Sequence, residues 1–101
     1  MKIESMEGYD RDDDGRWVMP LRNPIVMKSV SVQDLRWREP IARDLRKLRV
    51  DESVAFDTIL SLAEKLTGQT PMVIDMLSGS DLGEVVGIAT FFLDNAMGDG
   101  D

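Results

Sequence analysis

Large apolar residues are sparse over the first fifteen positions and recur regularly after them, and this change divides the chain into predicted elements. Residues 1–15 contain the polar run Asp10-Arg11-Asp12-Asp13-Asp14-Gly15 and are expected to form a flexible acidic N-terminal tail. Trp17, Val18, Met19, Leu21, Ile25, Val26 and Met27 then form an apolar stretch broken by Pro20 and Pro24, the pattern of an irregular edge strand. Lys28-Ser29 reads as a turn. Beyond it Val30 and Val32 share one face, whereas Leu35 and Trp37 share a face displaced by one residue, which predicts a bulge near Gln33-Asp34. The two stretches predict a β-hairpin over residues 16–38.

Helical spacing takes over after Pro40, a residue suited to a first helical turn. Ile41, Leu45 and Leu48 mark a basic helix, and Asp51 is placed to cap the next one. In that second helix Ala55, Ile59, Leu62, Ala63 and Leu66 form a stripe that Phe56 and Leu60 widen, and Gly68 stops it. Thr70-Pro71 opens a short helix carrying Val73, Ile74 and Leu77. Ser80 is the expected cap of the last helix, with Leu82, Val85, Val86, Ala89, Phe92, Leu93 and Ala96 on its stripe, and residues 98–101 are expected to form a frayed end. The resulting expectation is an α+β fold: an N-terminal β-hairpin followed by about four α-helices in a small helical bundle. Residues 16–97 are expected to make one domain, with its helices over 40–97.

Composition narrows the chemistry. The chain has 101 residues and neither Cys nor His, which excludes disulfides, thiolate nucleophiles and His-based triads. With 43% hydrophobic and 31% charged residues it has the balance of a folded protein. A net charge of −7 argues against general nucleic-acid binding. That charge is unevenly spread. Residues 1–15 hold two bases and six acids, residues 16–50 nine bases and three acids, and residues 51–101 one base and ten acids. A basic middle and an acidic second half can attract each other within a chain or between copies. The longest apolar stretch, Val85 to Leu93, is too short to span a bilayer and is interrupted by Gly87 and Thr90. With no apolar leader at the N-terminus either, a cytoplasmic location is expected.

Three motifs have chemical potential. Asp10-x-Asp12-x-Asp14-Gly15 matches the first half of a calcium-binding loop, but the twelfth position, where a bidentate Glu is needed, is Leu21. A solvated acidic segment is the preferred reading, and a calcium-responsive module the minor one. Asp34 with Glu39, and Asp75 with Asp81, are candidate carboxylate pairs, yet all four sit where strand ends and helix caps place acids. Gly79-Ser80-Asp81-Leu82-Gly83 lacks the Lys and the spacing of a phosphate-binding loop. No catalytic residue, metal site or cofactor is therefore expected, and the protein is read as a non-enzyme.

The remaining candidates concern binding. Arg36, Arg38, Arg43, Arg46, Lys47 and Arg49 form either a docking surface for an acidic partner or a solvated face. In the last helix Gly83 and Gly87 share a face flanked by Ile88 and Phe91. A helix-interior Gly costs about 1 kcal/mol relative to Ala, which is easier to understand where another backbone comes close. Two readings stand: a groove for a partner helix or a second copy, or packing within the domain. Phe56 and Leu60 widen the second helix in the same sense.

The order of short motifs resembles the tail assembly chaperones of Mu-like contractile-tailed phages, the family that includes tail protein E. The resemblance is carried by Arg38-Glu39-Pro40, Asp44-Leu45, Leu66-Thr67-Gly68, Ile74-Asp75-Met76-Leu77 and Asp81-Leu82 ahead of a final apolar helix. It covers residues 18–97 and leaves the acidic segment 1–15 outside. It implies a non-enzymatic assembly factor, working as a homo-oligomer in the host bacterial cytoplasm. Such a factor coats the tape measure protein before the tail tube forms and is missing from the finished particle. In related systems a ribosomal frameshift makes a longer form that recruits tail tube protein. The alternative is a small structural or adaptor protein of a phage tail or baseplate.

Overall fold

The computed structural model describes residues 2–46 and 55–96. Its sheet has three antiparallel strands in chain order: β1 (Asp10–Arg11), β2 (Trp17–Met27) and β3 (Val30–Trp37). The short β1 lies beside the start of β2, pairing Asp10 with Val18 and Arg11 with Trp17. The β2–β3 hairpin turns at Lys28-Ser29, as the apolar pattern predicts, and runs from Met27 opposite Val30 to Trp17 opposite Trp37.

Register slips once, between Pro20 opposite Asp34 and Ile25 opposite Val32. The irregularity therefore lies beside Gln33-Asp34, where the face change predicts it, but the extra residues, Leu21–Pro24, belong to β2. Pro24 has no N–H to offer a ladder. The amides of Arg22 and Asn23 leave the sheet and donate to the two carboxylate oxygens of Asp81, at 2.9 and 3.0 Å.

Helices α1 (Ala42–Leu45), α2 (Phe56–Thr67), α3 (Pro71–Asp75) and α4 (Gly79–Ala96) follow. The α2 stripe is buried through Ile59, Leu62, Ala63 and Leu66, and Gly68 ends the helix with φ 72°. That left-handed position is the one a glycine takes without strain. Thr70 accepts the Val73 amide and Pro71 occupies the first turn of α3, in the expected order. The cap of α4 is Ser78 and not Ser80: its hydroxyl takes the Asp81 amide and its carbonyl the Leu82 amide. Asp51 and Leu48 lie outside the described residues, as do 98–101.

A hairpin beside a four-helix bundle is not what forms. The sheet is three-stranded, and it forms one face of the core: Met19, Leu35 and Trp37 have no exposed surface. Opposite them stand Leu62, Leu66, Val85 and Ile88 from α2 and α4. α2 packs on β3, α4 on β2, and the two helices on each other. The architecture is mixed α+β with two long helices layered on a sheet. α1 and α3, at four and five residues, are too short to wall a bundle.

Residues 2–15, expected as a flexible tail, hold β1 and place Met6 in the core at 5% exposure. The Tyr9 hydroxyl donates to Glu84 on α4. Burial first, and then the neighbouring Glu84 carboxylate, push the Tyr9 phenol upward from its ordinary range. Asp12 accepts the amides of Asp14 and Arg16, and Gly15 turns with φ 82°, so these aspartates build the β1–β2 turn. Among the described residues no group of three or more acids is arranged to hold a metal ion, and no helix is long and apolar enough to cross a membrane.

Candidate partner-binding groove

An open cavity of about 710 Å³ lies where the N-terminal segment, the start of β2 and the end of α4 meet. Its floor is aromatic. Strand pairing sets Trp17 beside β1, and helical spacing brings Phe92 to it at 5.4 Å between ring centroids. Phe91 meets Phe92 edge-on at 5.4 Å, and the buried Trp37 backs Phe92 at 6.3 Å. Rings at these separations gain beyond their buried area, so the floor is held in shape. Met6 and Tyr9 also line it. So does Asn95, whose side-chain amide donates to the Phe91 carbonyl at 2.8 Å.

The groove's charges are Glu7, Glu39 and Arg11. The Arg11 guanidinium sits 4.0 Å above the Trp17 ring and donates to the Gly15 carbonyl at 3.3 Å, so it is already partnered. The groove thus joins an aromatic base to three exposed charged side chains.

The residues singled out from sequence do not converge here. Phe91 lines the groove, half-buried. Ile88, for which both a groove and internal packing stand open in the sequence, is completely buried in the core, because α4 packs on both β2 and α2. Gly87 is buried, while the space a Gly83 side chain would enter is open among the described residues, so no neighbouring backbone explains that glycine. Phe56 is 54% exposed at the start of α2, and Leu60 is half-buried one turn on.

The basic run is divided. Arg36 pairs with Asp34 at 3.2 Å and Asp12 at 3.3 Å across the sheet. Arg38 grips Asp44 through two hydrogen bonds of 2.7 and 2.8 Å, while its backbone amide donates to the Leu66 carbonyl. The Arg38 guanidinium and the Ile41 amide hold the Asp44 carboxyl down at about 2. Arg43 and Arg46 are exposed, and Lys47 and Arg49 lie outside the described residues. Arg38, Arg43 and Lys65 line a smaller notch around Asp44.

Neither carboxylate pair forms. Asp81 is fully buried and spent on the bulge, Asp75 is exposed, and Asp34 is taken by Arg36. Apart from Phe91, none of the residues lining the groove is predicted as a binding residue: Met6, Glu7, Tyr9, Arg11, Trp17 and Glu39 come from the first half of the chain, and Phe92 and Asn95 from α4. The Phe91-Phe92 pair was the one local signal, and nothing in the sequence links it to residues some eighty positions earlier. No family model, curated protein or solved structure matches the chain.

Proposed function

We propose that this protein is a non-enzymatic tail assembly chaperone of a phage, which covers an apolar stripe of the helical tape measure protein and keeps it soluble until the tail tube forms. The observation that carries this reading is the open, aromatic-floored groove. A long helix with an exposed apolar face aggregates unless that face is covered, and a shallow groove of rigid aromatic side chains covers it reversibly. The order of short motifs between Arg38 and Leu82 supports the same reading. Coating a long partner takes many copies, each binding modestly. The excess of bases in residues 16–50 and of acids in 51–101 favours head-to-tail contact between them.

The test is co-expression with the very long helical open reading frame expected just downstream of this gene. The tape measure protein stays soluble with the native chain and precipitates with Phe91→Asp. Mass spectrometry of purified particles should not find the chain. Its presence there would replace the chaperone with a tail or baseplate adaptor.

A further inference from the structure

We propose that the groove selects a helix whose apolar stripe is bordered by Lys or Arg, with Glu7 and Glu39 as the selecting residues; this rests on reading the groove as a helix-binding surface. The floor fixes the apolar half of the requirement. Trp17 and Phe91 are half-buried at the groove, braced from behind by the buried Phe92, so they offer apolar area without needing to rearrange. A cavity of about 710 Å³ takes a few large side chains, as one face of a short helix presents them.

The edges fix the ionic half. Glu7 and Glu39 are both exposed, both line the groove, and neither is in an ion pair among the described residues. Arg11, the cation among the lining residues, is held over Trp17 and does not pair with either acid. An incoming Lys or Arg meets two carboxylates left without an ion pair among the described residues, and an incoming Asp or Glu is repelled by them. A second copy fits poorly. Its long helices α2 and α4 both belong to the acidic part of the chain and would bring like charge to Glu7 and Glu39. The occupant is therefore a separate helical partner with basic borders.

Two synthetic helical peptides of about 14 residues, or four turns, separate these features. Both carry the same Leu stripe, bordered by Lys in one and by Glu in the other. Each is titrated into the full chain, following tryptophan emission, because Trp17 lies in the groove and Trp37 is sealed in the core. At low salt the Lys peptide should bind about ten-fold more tightly, a gap that closes near 0.5 M salt. In the double variant Glu7→Gln, Glu39→Gln the gap should shrink to about two-fold while binding through the Leu stripe persists. Both residues are exposed, and a far-UV melt of the variant checks that the fold is intact. Equal affinity for the two peptides, or a gap that survives in the double variant, overturns the charge selection and leaves helix binding standing. Binding of neither peptide overturns the helix-binding reading as well.

Discussion

The middle and the start of β2 are finished in opposite ways. At the bulge in its middle, the fully buried Asp81 carboxylate satisfies the amides of Arg22 and Asn23 and takes the Ser78 hydroxyl at 3.1 Å. At its start, Trp17 packs against Phe92 and leaves a face to Arg11 and the open groove. The bulge spends a charge on internal hydrogen bonds and locks sheet to helix. The open start leaves apolar area and the exposed Glu7 and Glu39 facing solvent. The two are linked by α4, which is anchored near its start by Asp81 and carries the groove's rings near its finish.

Removing the lock should have the largest effect. Asp81→Ala leaves the part-buried amides of Arg22 and Asn23 without their partner, and a loss of about 2 kcal/mol in urea unfolding is expected. A loss below about 1 kcal/mol would mean that the bulge is held by packing alone.

The Arg38–Asp44 pair is a second internal lock, smaller and sensitive to acid. The folded Asp44 carboxyl, at about 2, lies below its ordinary value, so its stabilisation is complete above about pH 4 and fades as pH falls through 2. The lowered Asp12 carboxyl, held mainly by the Arg16 and Asp14 amides with help from Arg36, acts in the same direction. For Asp44 the contribution is on the order of 1 kcal/mol after discounting for solvent screening. Asp44→Asn should lower stability at pH 6 and flatten the decline between pH 4 and 2, read from thermal melts across that range.

Smaller still, Gly83→Ala should stabilise the isolated protein by up to about 1 kcal/mol, since the new methyl group enters open space within a helix. Should the same change weaken oligomers on a sizing column, a second copy's backbone approaches that face. The slightest effect on folding belongs to Phe91→Ser, expected to cost about 1 kcal/mol or less at a half-buried site. That variant should nonetheless abolish peptide binding. If it unfolds the protein instead, Phe91 belongs to the anchored end of the comparison and not to the open one.

Local rules made much of the helical half legible. The α2 stripe from Ile59 to Leu66, the stop at Gly68 and the Thr70-Pro71 start each depend on neighbours within one or two turns and stand where the spacing puts them, whereas Ala55, expected on that stripe, is the exposed N-cap. The hairpin turn and the place of the bulge were legible for the same reason, from alternation that slips once. The sequence leaves Ile88 open between groove and core because a helix wheel ranks faces by composition, whereas α4 is covered by both β2 and α2 and buries a wider arc than one stripe. Local rules make Asp81 a cap or half of an acid pair, because no local signal reveals that Arg22 and Asn23, fifty-nine and fifty-eight residues away, leave the ladder and turn their amides to it.

The sequence by itself determined the repertoire: no thiol or imidazole chemistry, a hairpin, helices of known stripe, and a chain whose bases and acids are segregated. Tertiary structure decided how these are used. It turned the hairpin and helices into a layered α+β fold, brought Met6, Tyr9 and β1 onto the domain, and assembled the groove from both ends of the chain. The reason is the range of the forces involved. Capping and periodicity act over a few residues, whereas burying Trp37, Met19 and Leu35 requires whatever apolar surface the rest of the chain can bring to them.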